Sequence, residues 1–210
     1  MEIALYKTDG SKSSKTVQLD DSVFGIDPNT HVMYLDVKQY LANQRQGTHK
    51  SKQRAEVAYS TKKIVKQKGS GGARHGSIKS PTYVGGGRAF GPVPRDYSFK
   101  LNKKVKSLAR RSALSDKAKE NAIIVIENFS FEEPKTKKFL EISNNLNIAD
   151  KKLLVVLAES NSNIYLSSRN LPKVKVVRAS ELNTYDILNA SNLVLVEDSI
   201  NKIHNLFGVS

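Results

Sequence analysis

One segment of the sequence brings together glycine and basic side chains, the residue types that bind phosphate. It runs from Gly69 to Lys79 as GSGGARHGSIK. A dinucleotide fingerprint beginning at Gly69 requires glycine where Arg74 stands, and a phosphate loop from Gly71 requires lysine where Ser77 stands. The segment therefore does not predict a small-nucleotide site. Because glycine lets a backbone approach a surface closely, we expect these glycines to form a tight tip against a sugar-phosphate backbone.

The other reactive side chains do not form a catalytic set. No histidine has a second histidine or a carboxylate at a metal-ligand spacing, and the chain has no cysteine. In the most basic region the only acids are Glu56 and Asp96, which we expect to pair with Arg54 and Arg95. The sequence thus predicts no enzyme, no metal site, no cofactor and no small-molecule substrate.

Basic residues are concentrated in one region. From Lys38 to Arg111 the sequence holds 19 Lys and Arg against two acids, whereas the other 136 residues hold 15 bases and 18 acids. Uncompensated like charges repel one another, so this region requires a polyanionic partner. The composition favours nucleic acid, and an anionic membrane surface is the competing interpretation.

Residues 45–96 are predicted to form an extended arm. Only 13 of these 52 residues are aliphatic or aromatic, and eight of the chain's 12 glycines lie between Gly69 and Gly91. Such a segment cannot bury enough apolar area to offset the entropy of ordering. We therefore expect a basic, glycine-rich RNA-binding arm, residues 45–96, inserted into a globular domain formed by residues 1–44 and 97–210.

Few aromatic side chains of this arm could stack on bases. They are Tyr59, Tyr83 and Phe90. Proteins that read single strands place exposed aromatics on their strands, and the apolar runs here consist of Val, Ile and Leu. We therefore expect backbone and shape contacts with a folded RNA to dominate binding.

The remaining sequence predicts an α/β fold with a doubly wound, mainly parallel sheet flanked by helices. Short apolar runs lie at residues 123–126, 153–157, 174–177 and 193–197. Runs that are apolar on both faces and separated by helical segments indicate a parallel sheet covered on both sides. Helices are expected from Pro134, over 162–170, around 185–189, and after Asp198 as N-cap.

The residues on either side of the arm have their own patterns. Strands are expected over 2–6, 17–19 and 32–35, and a helix from residue 37. After the arm, residues 100–119 have apolar Leu101, Val105 and Leu108 at helical spacing. We expect this stripe to pack on the sheet, while the opposite face presents bases to an anion: Lys100, Lys103, Lys104, Lys106, Arg110 and Arg111.

The chain carries no feature of an exported or membrane protein. No apolar stretch approaches the roughly 18 residues of a spanning helix. The first ten residues, MEIALYKTDG, include an early acid and no long apolar block, unlike a secretory signal. We expect a soluble, cytoplasmic protein with no membrane partner.

Short motifs in a familiar order extend through almost the whole chain. They are Arg45-Gln-Gly-Thr48, Arg54-Ala-Glu-Val57, Gln67-Lys-Gly69, Ala73-Arg74, Gly76-Ser-Ile-Lys-Ser-Pro81, Gly91-Pro92, Asn102-Lys-Lys104, Pro134-Lys-Thr-Lys137 and Arg169-Asn-Leu171. On these motifs the chain resembles the family of the fourth protein of the bacterial large ribosomal subunit. Val65-Lys66 stands where that family typically has Trp-Arg, and Gly72 stands where it has Arg.

The resemblance implies a structural ribosomal protein that binds large-subunit ribosomal RNA early in assembly. It implies a globular domain on the outside of the subunit and an arm threaded into the RNA, with its tip lining the nascent-peptide exit tunnel. Neighbouring large-subunit proteins and, transiently, the nascent chain are the further partners. The tip comprises Val65, Lys66, Gln67, Lys68, Gly69, Ser70, Gly71 and Gly72.

The predicted RNA contacts are basic side chains of the arm and of the helix that follows it. They are Arg45, Lys50, Lys52, Arg54, Lys62, Lys63, Lys66, Lys68, Arg74, His75, Lys79, Arg88, Arg95, Lys100, Lys103, Lys104, Arg110 and Arg111. The same surface would serve a free RNA-binding translational regulator, which is the alternative interpretation. A nucleotide-dependent enzyme on the α/β fold is a third.

Overall fold

The computed structural model describes residues 1–208, and the chain divides into two compact units. The globular unit comprises Met1–Leu41 and Lys100–Ser210, and the basic unit comprises Ala42–Phe99. The last two residues of the predicted domain range 97–210 lie outside the described residues. No helix among residues 1–208 is both long and apolar enough to cross a membrane.

A six-stranded sheet forms the centre of the globular unit. Its strands are β1 (Glu2–Tyr6), β2 (Lys12–Gln18), β3 (Ile123–Ile126), β4 (Leu153–Leu157), β5 (Val174–Arg178) and β6 (Asn192–Val196). They lie in the order β2-β1-β3-β6-β4-β5. The first two strands form an antiparallel hairpin, and every other neighbouring pair is parallel. This confirms the predicted mixed α/β class with a mainly parallel sheet.

Helices occupy the connections between the strands. They are α1 (Asp21–Phe24), α2 (Thr30–Asn43), α3 (Lys103–Lys119), α4 (Thr136–Asn145), α5 (Ser162–Ser168), α6 (Thr184–Asn189) and α7 (Glu197–Phe207), with a short 3-10 turn at Ala179–Glu181. Strand-helix alternation of this kind lets the strands run parallel, because each helical crossover returns the chain to the end of the sheet at which the previous strand began.

Both faces of the sheet are buried, as the continuous apolar runs predict. In β4, Leu154 and Val156 join the cluster packed by α3, α6 and α7, whereas Leu153 and Val155 join the cluster packed by α4 and α5. Successive side chains of a strand point to opposite faces, so a strand buried on both sides must be apolar at every position. Each residue of β4 and β6 is buried.

The predicted strand over 32–35 is wrong, because these residues lie inside α2. The buried residues of α2 are Met33, Asp36 and Gln39, which recur every three residues as a helix requires. Asn29 accepts a hydrogen bond from the amide of Val32 and holds the first turn. Two of the three buried residues are polar, so apolar patterning does not identify this face.

Several predicted boundaries are also corrected. Helix α4 begins at Thr136, so Pro134 is not its first residue, and α3 begins at Lys103 rather than at residue 100. Val196 is the N-cap of α7, and Asp198 lies in its first turn, where its charge favours the positive helix end. The prediction of a strand over 17–19 missed most of β2, because this exposed edge strand has little apolar pattern.

Candidate nucleic-acid interface

The basic unit has a large excess of positive charge. Between residues 42 and 99 the sequence contains 12 Lys and Arg and two acids. No helix or strand begins within the unit, and most of its residues are exposed. The unit therefore presents its cations to solvent rather than to a core of its own.

Backbone hydrogen bonds fold the basic unit into two limbs that run in opposite directions. We name residues 47–64 the outgoing limb and residues 76–95 the returning limb. Amide-to-carbonyl bonds join Arg95 to Gly47, Ser51 to Pro92, Arg88 to Lys52 and Ile64 to Gly76 at 2.9–3.1 Å. Every one of these pairs is centred between residues 70 and 72, which makes the predicted tip, 65–72, the turning point of the unit.

The tip needs glycine at two of its positions. Gly69 and Gly71 have φ values of +85° and +67°, in the left-handed region that residues with a Cβ rarely adopt. A Cβ at Gly69, Gly71 or Gly72 would meet nothing within 4 Å, so neither packing nor φ requires glycine at Gly72. At Gly76 a Cβ would lie at an ordinary 3.7 Å from Arg54. The chain itself therefore explains Gly69 and Gly71 but not the other two.

Most of the unit's cations have no partner within the described chain. Eight form no hydrogen bond or ion pair through their side chains with residues 1–208: Lys52, Arg54, Lys62, Lys66, Lys68, Arg74, Lys79 and Arg88. Of the other four, Lys50 pairs with Glu56, Lys63 donates to Gln67, and Arg45 and Arg95 contact the Tyr97 ring. Free, closely spaced cations of this kind are available to phosphates.

Four bases of the unit, three of them without a side-chain partner, line one concave surface. A concavity of about 950 Å³ is lined by Arg54, Lys63, Arg74 and Lys79, together with His75. No carboxylate lines it, and the His75 ring meets the ring of Tyr83 edge-on at 5.4 Å. A wide, shallow surface with four positive charges and no acid suits a polyanion better than a small ligand.

Two further arginines are held by one aromatic ring. The guanidinium carbons of Arg45 and Arg95 lie 3.7 and 4.4 Å from the centre of the Tyr97 ring. Both arginines lower the pKa of the Tyr97 phenol, the hydrogen bond from Arg95 being the largest cause. Tyr97 was not among the predicted site residues. Its contact with both Arg45 and Arg95 depends on the fold of the unit, which spacing along the sequence does not indicate.

Both acids of the unit have partners other than those predicted. Glu56 accepts from Lys50 at 2.6 Å and from the backbone amide of Gln53 at 3.0 Å, and these bonds lower its pKa. Asp96 accepts from the amide and hydroxyl of Ser98 at 2.8 and 2.7 Å, which lowers its pKa. The predicted pairs with Arg54 and Arg95 are therefore wrong, because each carboxylate folds back onto the amide of its own turn.

The basic face predicted for residues 100–119 is divided by the structure. Lys100, Lys103 and Lys104 are exposed, whereas Arg110 and Arg111 are half-buried. The Nε atoms of both arginines are buried without a hydrogen-bond partner in the described chain, and the Arg110 guanidinium lies 5.6 Å from the Phe207 ring. A contact between these arginines and RNA stays a prediction.

The described residues provide no constellation for metal-dependent chemistry. Across residues 1–208 no three His, Cys, Asp or Glu side chains come together as potential metal ligands. Asp20, one of the acids at a helix start, accepts from the amide of Ser22 and caps α1, which lowers its pKa.

Comparison with known proteins identifies a family. The family model described as "Ribosomal protein L4/L1 family" matches residues 17–206. A protein of Parabacteroides distasonis named "Large ribosomal subunit protein uL4" is 62% identical over 207 residues, covering 99% of each chain. The proteins of that name from Phocaeicola vulgatus and Flavobacterium psychrophilum are 60% and 62% identical, covering 98% and 97% of this chain and 99% and 97% of their own.

Proposed function

The chain belongs to the ribosomal protein L4/L1 family, and from this membership we propose that it is a structural constituent of the large ribosomal subunit that binds large-subunit ribosomal RNA through its basic unit. The relatives carry the name of a large-subunit ribosomal protein over the full length of the match. The role is structural, and the family is not a class of enzymes.

The observation that carries the RNA contact is the set of unpartnered cations on the basic unit. Lysine and arginine neutralise phosphates and release the counterions condensed on RNA, which drives association. Cations paired with carboxylates cannot do so without first losing their partners. Support therefore comes from the concavity that Arg54, Lys63, Arg74 and Lys79 line, where no acid competes.

The position of the basic unit in the particle is the finer part of the proposal. The unit extends as an arm into the ribosomal RNA, and its tip, residues 65–72, lines the nascent-peptide exit tunnel. Binding takes place early in assembly, before the RNA helices close around the arm. The opposed limbs and the left-handed Gly69 and Gly71 support this, because a narrow hairpin-like segment can pass between RNA helices.

The proposal is tested by the salt dependence of RNA binding. The test variant replaces the four bases of the concavity, Arg54, Lys63, Arg74 and Lys79, with Gln. A matched control replaces four exposed bases of the globular unit, Lys12, Lys15, Lys138 and Lys151, with Gln. Binding to large-subunit ribosomal RNA is measured from low to high salt. Because each phosphate contact contributes about 0.7–0.9 to the slope of log K against log salt, the test variant should lose about three from that slope and the control little.

Two results would contradict the proposal. Equal losses in the two variants would mean that the concavity has no special role. If the protein sediments away from large subunits at high salt but still binds RNA, the alternative role as a free RNA-binding regulator is favoured.

A further inference from the structure

Phe90 is the most exposed large apolar side chain in the described chain. Its exposed fraction is 108%, and that of Val84 is 104%, whereas no other exposed large apolar residue exceeds 57%. An aromatic side chain stabilises a fold when it is buried in an apolar environment, and residues 1–208 do not bury the Phe90 ring. The contacts of the chain therefore do not explain why a phenylalanine stands here.

The backbone of Phe90 is strained. Its φ is +51°, in the left-handed region, and the only other non-glycine residues of the described chain with positive φ are Asn121 and Asn147. Asparagine tolerates this region, but a bulky aromatic residue rarely adopts it. Strain of this kind persists only where the surrounding structure imposes it, and it marks sites of function.

Two backbone hydrogen bonds between the limbs impose this left-handed conformation on Phe90. The amide of Arg88 donates to the carbonyl of Lys52, and the amide of Ser51 donates to the carbonyl of Pro92. Between these two bonds the outgoing limb advances by one residue, from 51 to 52, whereas the returning limb advances by four, from 88 to 92. The extra residues, 89–91, therefore bulge outward. A Cβ at Gly91 would lie 2.8 Å from Ser51, which shows how closely the end of the bulge is held. Phe90 is the middle of this bulge.

The other two aromatic side chains of the arm that could stack on bases are less exposed than Phe90, and both lie against neighbouring residues of the arm. Tyr83 packs its ring edge-on against His75, and the Tyr59 hydroxyl lies beside Gly85. The surroundings of the bulge are basic: Lys52 and Arg88 flank it without a side-chain hydrogen bond or ion pair, and no acid occurs between residues 57 and 95. The charge of Lys52 also acts on the nearby Glu56 carboxylate. An apolar pocket of a protein would not need this charge, whereas an RNA strand supplies both a base face and phosphates.

We propose that Phe90 stacks on an unpaired base of the RNA that the basic unit binds, while Arg88 and Lys52 contact the phosphates beside that base. This rests on the proposed function and assigns one residue a base contact that phosphate binding does not require. The bulge holds the backbone of Phe90 in place before RNA arrives, so little backbone freedom is lost on binding. Stacking tolerates any base, because every base has a π face.

The first experiment separates the ring from the charge. Binding of the full-length protein to large-subunit ribosomal RNA is measured across a salt series. Phe90→Leu keeps an apolar side chain and should weaken binding about 5- to 100-fold with no change in slope, since stacking releases no counterion. Phe90→Tyr should bind like the parent protein. Arg88→Gln should reduce the slope by about one.

Two further variants exclude other causes. Val84→Ala, the matched control, removes an equally exposed apolar side chain from the same limb and should leave affinity unchanged. Phe90→Gly removes both the ring and the backbone strain, and should bind as weakly as Phe90→Leu. If Phe90→Gly binds as tightly as the parent protein, the ring has no role and the proposal is overturned.

The second experiment detects stacking directly. The chain has no tryptophan, so Phe90→Trp carries a single indole fluorophore. Its emission should be quenched by RNA, and acrylamide should reach it less readily in the complex. Tyr165→Trp, at an exposed position of the globular unit, is the control and should respond less.

The outcomes distinguish this inference from the proposed function. If the parent protein does not bind the RNA at all, the proposed function itself fails. If it binds with a steep salt slope, Phe90→Leu binds equally well, and RNA neither quenches nor protects the indole of Phe90→Trp, only the stacking proposal is overturned.

Discussion

The guanidinium carbon of Arg45 lies 3.7 Å from the centre of the Tyr97 ring, on which Arg95 also lies. Two like charges would otherwise repel one another, and the negative face of the ring offsets part of that repulsion. The backbone bond from Arg95 to the carbonyl of Gly47 joins the two limbs. Tyr97 thus holds Arg95 of the returning limb and Arg45, which precedes the outgoing limb, at the end of the unit opposite the tip, where both can approach a phosphate together.

Replacement of the Tyr97 ring should therefore weaken RNA binding. We expect Tyr97→Leu to bind about 5- to 30-fold more weakly, because both cation–π contacts that position the arginines are lost. Tyr97→Phe keeps the ring and should lose little. Titration of large-subunit ribosomal RNA at fixed salt measures both. Equal losses in the two variants would show that the hydroxyl, not the ring, is what matters.

The Tyr97 phenol should ionise at a lower pH than a phenol without arginine neighbours. The hydrogen bond from Arg95 and the charges of Arg95 and Arg45 lower its pKa below the ordinary value of 10.0. The phenolate's contribution to the folded form is then full above pH 10 and is lost as the pH falls through the lowered pKa. Absorbance at about 295 nm in the RNA-free protein follows the titration of the phenol, whose ordinary pKa is about 10. Arg95→Leu should move the titration of the Tyr97 phenol to higher pH, and an unchanged curve would contradict the assignment.

Removal of the Glu56 carboxylate should strengthen RNA binding. Glu56 forms an ion pair with Lys50 at 2.6 Å. Glu56→Gln keeps an acceptor for the Gln53 amide but removes the charge that pairs with the lysine. We expect the fall of log K with log salt to become steeper by about one. Because the pKa of Glu56 is lowered from 4.5, its ion pair is fully formed above pH 4.5 and is lost as the pH falls through the lowered value. Lys50→Gln in the parent protein should leave the slope nearly unchanged, since that cation is already paired.

Two neighbouring glycines of the tip should respond differently to alanine. Gly71 has φ +67°, whereas Gly72 does not lie in the left-handed region, and a Cβ at either position meets nothing within 4 Å. In Gly71→Ala the backbone of residue 71 should leave the left-handed region in the free protein. RNA binding must then restore that conformation, at a cost of about 1–2 kcal/mol. Gly72→Ala should leave the free tip unchanged. Amide chemical shifts of residues 68–73 report the free conformation, and RNA titration reports the cost.

The sequence predicted those elements whose burial and composition agree. The runs at 123–126 and 153–157 are apolar on both faces, and the structure places strands at those residues. The prediction of a strand at 32–35 was wrong because the helix there buries Asp36 and Gln39, whose polar side chains hide the helical spacing of the buried face. In the basic unit, the concentration of cations could be counted directly. Which cations are already engaged, by Glu56 or by Tyr97, depends on hydrogen bonds and ring contacts that only the folded unit brings about.

The buried pair formed by Asp36 and Thr184 should be needed for the stability of the globular unit. The Thr184 hydroxyl donates to the Asp36 carboxylate at 2.5 Å and joins α2 to α6, where Tyr40 and Tyr185 stack at 5.0 Å. Thr184→Val preserves the shape but leaves a buried carboxylate without this donor, which should cost about 1–3 kcal/mol in the free energy of unfolding. Thr184→Ser retains the hydroxyl and should lose about 1 kcal/mol or less for the missing methyl group. Urea unfolding measures both, and a Val variant as stable as the Ser variant would mean that water or another group satisfies the carboxylate.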